Sequence, residues 1–365
     1  MPSASRSDLH ATAPRISRLW WIAGPVLVAL VVLVTVLLAR SVPYIVFMPG
    51  SATEVQPLIT IESHDGEPSY VEDAEGDILF TTVSTRFPSG FEVLYRLLDD
   101  RNDVAPSELY LGTQSSEENR SFNLSLMTDS KDRASKVAME RAGYTVEVTP
   151  TGAVIVNLDP SYPSAAVLRP GDTVVAADGE PIGTSDELAA AILAHEPGES
   201  IELVIERIGE PGTTTVEAEL AENPEKAGKA QLGVSLQDRP AYEFPFEVQI
   251  DSGDVGGPSA GLAFTLALLD RLTPGRITGG ARVAVTGTIQ LDASVGPVGG
   301  VRQKVEGAVR EGATLFLVPS AEYEDAVDAA DGRLDVRRVD TLDEALDVLE
   351  SIGGDPVEPV GAQAS

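Results

Sequence analysis

Residues 19–39 contain no charged side chain, and an apolar run of that length constrains the fold before any other feature does. As a helix rising 1.5 Å per residue it spans the ~30 Å hydrocarbon core of a bilayer, so a transmembrane helix is expected. Arg6, Arg15 and Arg18 precede the run against the single acid Asp8, whereas only Arg40 follows before Glu54. The positive-inside rule then places the N-terminus in the cytoplasm and everything after residue 41 outside. Trp20 and Trp21 stand where an interfacial aromatic anchor belongs. A cleaved signal peptide would have a shorter apolar core and a small-x-small cleavage site, and Ala39-Arg40-Ser41 is a poor one. The expectation is a single-pass cell-membrane protein: a cytoplasmic tail at 1–18, a membrane-lipid contact through 19–40, and an extracytoplasmic remainder.

That remainder is long enough for two folded units. Its acidity, with a formal net charge of −31 for the chain, repels nucleic acid and anionic headgroups, so no nucleic-acid partner is expected. Without cysteine, and with only His10, His64 and His195 scattered along the chain, there is neither a thiolate nucleophile nor the making of a Cys/His metal site. No cofactor or metal is expected.

Short β-branched runs at 44–47, 58–61 and 78–83 read as strands broken by turns. Residues 100–123 are polar, with sequons at Asn119 and Asn123 that chance explains. Ala134, Val137, Ala138 and Ala142 recur at helical spacing, which predicts a helix over 126–142 capped by Ser125 and ended by Gly143. Residues 144–220 alternate strands, tight turns and one helix, and Arg169-Pro170-Gly171-Asp172 followed by Asp178-Gly179-Glu180-Pro181-Ile182 is their most specific stretch. This unit resembles a bacterial PDZ domain. The resemblance implies either a peptide added as an extra strand or a unit that spaces or gates its neighbour. A polar linker is expected at 221–229.

Downstream, Gly257-Pro258-Ser259-Ala260-Gly261 satisfies G-x-S-x-G, but the α/β-hydrolase triad needs a later histidine and none follows Ser259. The chain has five lysines, and only Lys304 lies beyond Ser259. On the helix expected over 301–311, Val301, Lys304, Val305 and Ala308 share one face. A lysine there either covers the core edge with its methylenes or, with its pKa brought from about 10.4 toward 7 or 8 by burial, acts as a general base. Ser259 is open to two roles as well. Its hydroxyl could cap the apolar helix expected over 259–269, or it could be a nucleophile beside the N–H groups of that helix start. His195, in an Ala-His-Glu-Pro helix end, reads as a cap.

Three elements, Gly257-Pro258-Ser259-Ala260-Gly261, Thr286-Gly287-Thr288-Ile289 and Gly296-Pro297-Val298-Gly299-Gly300-Val301-Arg302-Gln303-Lys304, resemble in order and spacing the proteolytic domain of Lon-type serine peptidases. The resemblance implies Ser259 as nucleophile, Lys304 as base, and Thr286 as the hydroxyl that helps hold the lysine, with Gly257 and Pro258 shaping the serine turn. Two departures stand out: Gly256 lies where many Lon proteases carry an acid, and Thr288 where ATP-dependent ones have glutamate. No G-x-x-x-x-G-K-[S/T] occurs, so no P-loop ATPase is expected. The order of anchor, PDZ-like unit and Lon-like domain is similar to that of the YlbL-like bacterial membrane peptidases.

The expected fold is therefore α+β / α/β, with a Lon-type proteolytic domain at 230–352 and a loose tail at 353–365. Too few residues precede Ser259 in that domain, so 41–143 is expected to complete it and the PDZ-like unit to be inserted. The expected function is ATP-independent hydrolysis of peptide bonds in extracytoplasmic or membrane proteins. Partners are protein or peptide substrates, with a homo-oligomer left open. The alternatives are a catalytically silent peptide-binding adaptor and an ester hydrolase using the same serine.

Overall fold

The computed structural model describes residues 18–39, 42–62, 78–96, 102–112 and 114–360; the expected cytoplasmic tail, apart from Arg18, and the last five residues lie outside them. The chain opens with α1 (Arg18–Ala39). Over the side chains that are described, no helix is long and apolar enough to cross a membrane. Next come β1 (Tyr44–Glu54), β2 (Ile59–Glu62), β3 (Ile78–Arg86), α2 (Gly90–Arg96), β4 (Asp103–Pro106), α3 (Ser107–Leu111) and α4 (Ser116–Arg141). α4 starts at Ser116, well before the expected 126, and its cap is Ser115 in place of Ser125. Ser115 Oγ accepts the Glu118 N–H at 3.2 Å while the Glu118 carboxylate accepts the Ser115 N–H at 2.8 Å. This reciprocal capping box fixes a helix start ahead of a stretch too polar to show an apolar stripe.

The second stretch holds β5 (Glu147–Leu158), β6 (Thr173–Ala177), β7 (Glu180–Pro181), α5 (Ser185–Leu193), β8 (Ser200–Glu206), β9 (Thr213–Glu219), β10 (Ala221–Glu222), β11 (Ala230–Gln231) and β12 (Val234–Glu243). Its sheet runs β12-β5-β6-β8-β9 with β7 beside β6, over a core of its own that includes Ile155, Val174, Leu188 and Leu203. Asp172, 1% exposed, explains the Arg-Pro-Gly-Asp stretch. It accepts the Arg169 N–H at 2.9 Å and both arms of the Arg207 guanidinium at 2.8 and 2.7 Å. The expected boundary at 220 and the linker at 221–229 do not match this sheet. β10 and β11 form a small hairpin, and β12 then lies antiparallel along β5 from Val234 to Glu243. As an edge strand carrying Pro240 and charged residues, β12 lacks the apolar alternation that would mark it.

The third stretch comprises β13 (Glu247–Ile250), α6 (Gly261–Leu272), β14 (Val283–Val285), β15 (Thr288–Ile289), β16 (Val295–Gly296), α7 (Val301–Arg310), β17 (Leu315–Val318), α8 (Tyr323–Ala330), β18 (Asp335–Arg338) and α9 (Leu342–Ser351). It shares one sheet with the first stretch, in the order β18-β17-β14-β3-β1-β4. β14 runs parallel to both β3 and β17, and β13 pairs with β2. Ile78 and Phe246 lie in one core. The chain thus leaves this sheet, builds the β5–β12 sheet, and returns. Alternating side chains line its two faces. Val283, Val285, Leu315 and Leu317 meet α4, α6 and α9, while Ala284, Phe316 and Val318 meet α7 and α8.

α4 also touches the inserted sheet. Arg169 pairs with Glu118 at 2.8 Å, and Arg133 donates to the Asp238 carbonyl at 3.4 Å. In the inserted unit Asp172→Ala strands the Arg207 guanidinium, 14% exposed, without its carboxylate. Stability of that unit should fall by about 3 kcal/mol, seen as a lower urea midpoint for the full chain; an unchanged midpoint would contradict the assigned role.

Candidate active site

Lys304 projects from the first turn of α7, and Val301, Lys304, Val305 and Ala308 are all buried, as the shared face predicts. Lys304 is 2% exposed. Desolvation brings its pKa down to about 7, against an opposing pull from the Glu322 carboxylate. Glu322 is itself raised by burial, with the Val298 N–H and Lys304 acting in the other direction. Its Oε2 is buried without a hydrogen-bond partner among the described residues.

Lys304 Nζ donates to Thr286 Oγ1 at 2.9 Å. Thr286 Oγ1 in turn donates to the Ser259 carbonyl at 3.3 Å, which also accepts the Gly287 N–H at 3.0 Å. Thr286 directly follows β14, and its own N–H bonds Leu317 O at 3.0 Å. The Lys304 amine, the Thr286 hydroxyl and the Ser259 carbonyl therefore meet just beyond the carboxyl ends of parallel strands, where open α/β sheets place their sites.

α4 shapes the serine turn from the other side. The Gly257 N–H bonds the Asn123 carbonyl at 2.7 Å, and Gly257 has φ +90°, a left-handed conformation that favours glycine. Ser130 Oγ donates to the Pro258 carbonyl at 3.0 Å. A Cβ at Gly256 would lie 2.9 Å from Asn123 Cβ and 3.0 Å from its carbonyl carbon. This is the physical reason that no acidic side chain stands three positions before Ser259. α6 begins at Gly261 with Ala260 as its cap residue and no side-chain cap, so Ser259 stands ahead of the cap and its hydroxyl does not cap this helix.

Ser259 is half-buried. With Lys304 it lines a cleft of about 720 Å³ whose walls include Phe80, Val83, Leu124, Met127 and Val255. Thr81 Oγ1 borders it, buried and without a partner among the described residues. Arg120 and Asp254 pair at 3.0 Å beside it, both so exposed that the pair adds little stability. His195 takes no part: Nδ1 lies 3.1 Å from the Ala191 carbonyl at the end of α5, and Nε2 lies 3.3 Å from Asp178.

Glu322, Asn123 and Ser130 have no motif that announces them. The Ser115-x-x-Glu118 signature would have extended α4 and carried Asn123 onto a helix; nothing in the sequence places Glu322 near Lys304.

Residues 242–351 match the family described as the Lon protease (S16) C-terminal proteolytic domain, and residues 111–218 match the PDZ domain family. The chain carries a Lon-type proteolytic domain. It is 33% identical over 124 residues to Lon protease 1 of Sorangium cellulosum, covering 33% of this chain and 15% of that protein. Over 134 residues it is 31% identical to Lon protease of Mycolicibacterium smegmatis, covering 36% of this chain and 17% of that protein. The chain thus matches less than a fifth of the length of either relative. The PDZ domain of an SdrC-like protein from Listeria monocytogenes aligns at 22% identity over 25% of this chain and 92% of that one, with a TM-score of 0.23.

The Lon-type domain stores an electrostatic penalty at Lys304. Its folded pKa of about 7 lies below the unfolded ~10.4, so the unfolded state binds more protons between these values and stability rises with pH there. Lys304→Met should therefore stabilise the protein by an amount that is full below pH 7 and shrinks toward pH 10. Thermal unfolding of both proteins at pH 6 and pH 9.5 checks this; an increment independent of pH would show that the site imposes no such penalty.

Proposed function

We propose that the chain is a membrane-anchored, ATP-independent serine endopeptidase working through Ser259 and Lys304. The observation that carries this reading is a lysine 2% exposed, with a pKa near 7 and its amine fixed by Thr286, in one cleft with Ser259. The neutral amine keeps a lone pair while donating to Thr286, so it can take the Ser259 proton as Oγ attacks the scissile carbonyl. The resulting ammonium returns that proton to the leaving amine, and water then releases the acyl group from Ser259 by the same base. Backbone N–H groups near Ser259 hold the oxyanion.

An extended peptide suits the cleft. β14 pairs with β3 only as far as Val285 opposite Phe80, whereas β3 continues to Arg86, paired on its other edge with β1. Residues 81–85 line the cleft, and their free edge favours a substrate strand. The PDZ-like unit, with β12 at its sheet edge, recruits or gates peptide segments. Residues 19–39, uncharged throughout, support the anchor and an extracytoplasmic catalytic domain. Without an ATPase motif, the substrates are unfolded segments and exposed termini of extracytoplasmic or membrane proteins.

Ser259→Ala and Lys304→Ala should each lower casein hydrolysis by roughly 10³-fold or more with the fold retained, and a fluorophosphonate probe should label the wild type but not Ser259→Ala. Hydrolysis undiminished in either variant refutes the dyad, and an unlabelled wild type favours the silent adaptor. Because only the neutral amine accepts a proton, kcat/KM should rise through pH ~7 and level off above it.

A further inference from the structure

We propose that an apolar and aromatic rim beside α1 is a bilayer-docking surface that seats one end of the cleft on the lipid interface. The proposal rests on reading α1 as the membrane anchor. Outside α1, five of the most conspicuous exposed apolar side chains fall between β1 and α3: Tyr44 (40%), Phe87 (42%), Phe91 (51%), Tyr95 (62%) and Leu109 (81%).

Backbone contacts bring them together at the point where α1 gives way to β1. The Val42 N–H bonds the Pro88 carbonyl at 3.1 Å, and the Ser107 N–H bonds the Pro43 carbonyl at 3.1 Å. These two bonds tie the starts of α2 and α3 to the segment leaving α1, and α2 lies against α1 itself. The apolar rim is thus continuous with a helix whose described side chains, among them Leu27 and Val31, are themselves exposed at 62% and 55%. A helix apolar all round has to be buried in something, and whatever covers α1 reaches the rim.

Lipid is the occupant that fits. Aromatic side chains with an apolar body and, in tyrosine, a polar tip are those that settle at a membrane–water interface. Within a chain of net charge −31, the acid on α2, Glu92, is countered by Arg86 at 2.9 Å and Arg96 at 3.8 Å, and the exposed Glu108 on α3 is an acid of the rim that zwitterionic headgroups tolerate better than anionic ones. Phe87 also lines the same cleft as Ser259 and Lys304. Docking therefore turns that end of the cleft toward the bilayer and favours substrate segments held close to the lipid surface.

Because the chain has no cysteine, single labels can be placed one at a time. The full chain would be reconstituted in phosphatidylcholine vesicles with bimane at Tyr95→Cys, Leu109→Cys, Leu30→Cys or Leu193→Cys, the last on α5 of the inserted unit. Nitroxide lipids labelled near the headgroup should quench the labels at 95 and 109 at least about twofold more than the label at 193, and deep nitroxides should quench the label at 30. Quenching at 30 with 95 and 109 no different from 193 overturns the docking surface and leaves the anchor standing. No quenching at 30 removes the anchor and the docking surface together. Labels at 95 and 109 that are blue-shifted but unquenched place a protein on the rim and overturn the lipid assignment.

Discussion

A buried ammonium is among the least stable arrangements a folded protein can hold, and the architecture around Lys304 is organised by that constraint. α7 delivers the side chain into the protein from the face that carries Val301, Val305 and Ala308. The tip ends at Thr286, the residue where β14 leaves the sheet. The penalty is relieved when the amine is neutral, and a neutral amine is what proton abstraction from Ser259 needs. Burial thus suits the proton transfer proposed for the dyad, while Glu322 opposes the shift.

α4 is the second organising element. One helix supplies core residues Ala134, Val137 and Ala138 under the main sheet and holds the serine turn through Asn123 and Ser130. It also meets the inserted sheet through Glu118 and Arg133. The serine turn and the PDZ-like unit therefore both contact the same helix.

Much of this was readable from residues. The 3.6-residue spacing of Val301, Lys304, Val305 and Ala308 predicted the buried face of α7, and the β-branched run at 78–83 marked β3, whose first four residues are buried. With no histidine after Ser259, the sequence excludes the α/β-hydrolase triad order. α4 starts before the expected 126 because the Ser115 and Glu118 capping box sets its beginning, ahead of a stretch without apolar periodicity. β12 extends the inserted sheet past the expected boundary at 220, and the sequence does not show this because its pairing partner, β5, lies far away along the chain. Glu322 was invisible for the same reason: nonlocal packing, not local pattern, places a carboxylate beside a lysine.

The central claim is that Lys304 titrates near pH 7 in the resting protein. The chain has only five lysines, so NMR of ¹³Cε-labelled lysine should resolve them, with Lys304→Met assigning the signal. One resonance titrating near pH 7 and absent from the variant is the predicted result. All five titrating near the usual ~10.4 would contradict the account.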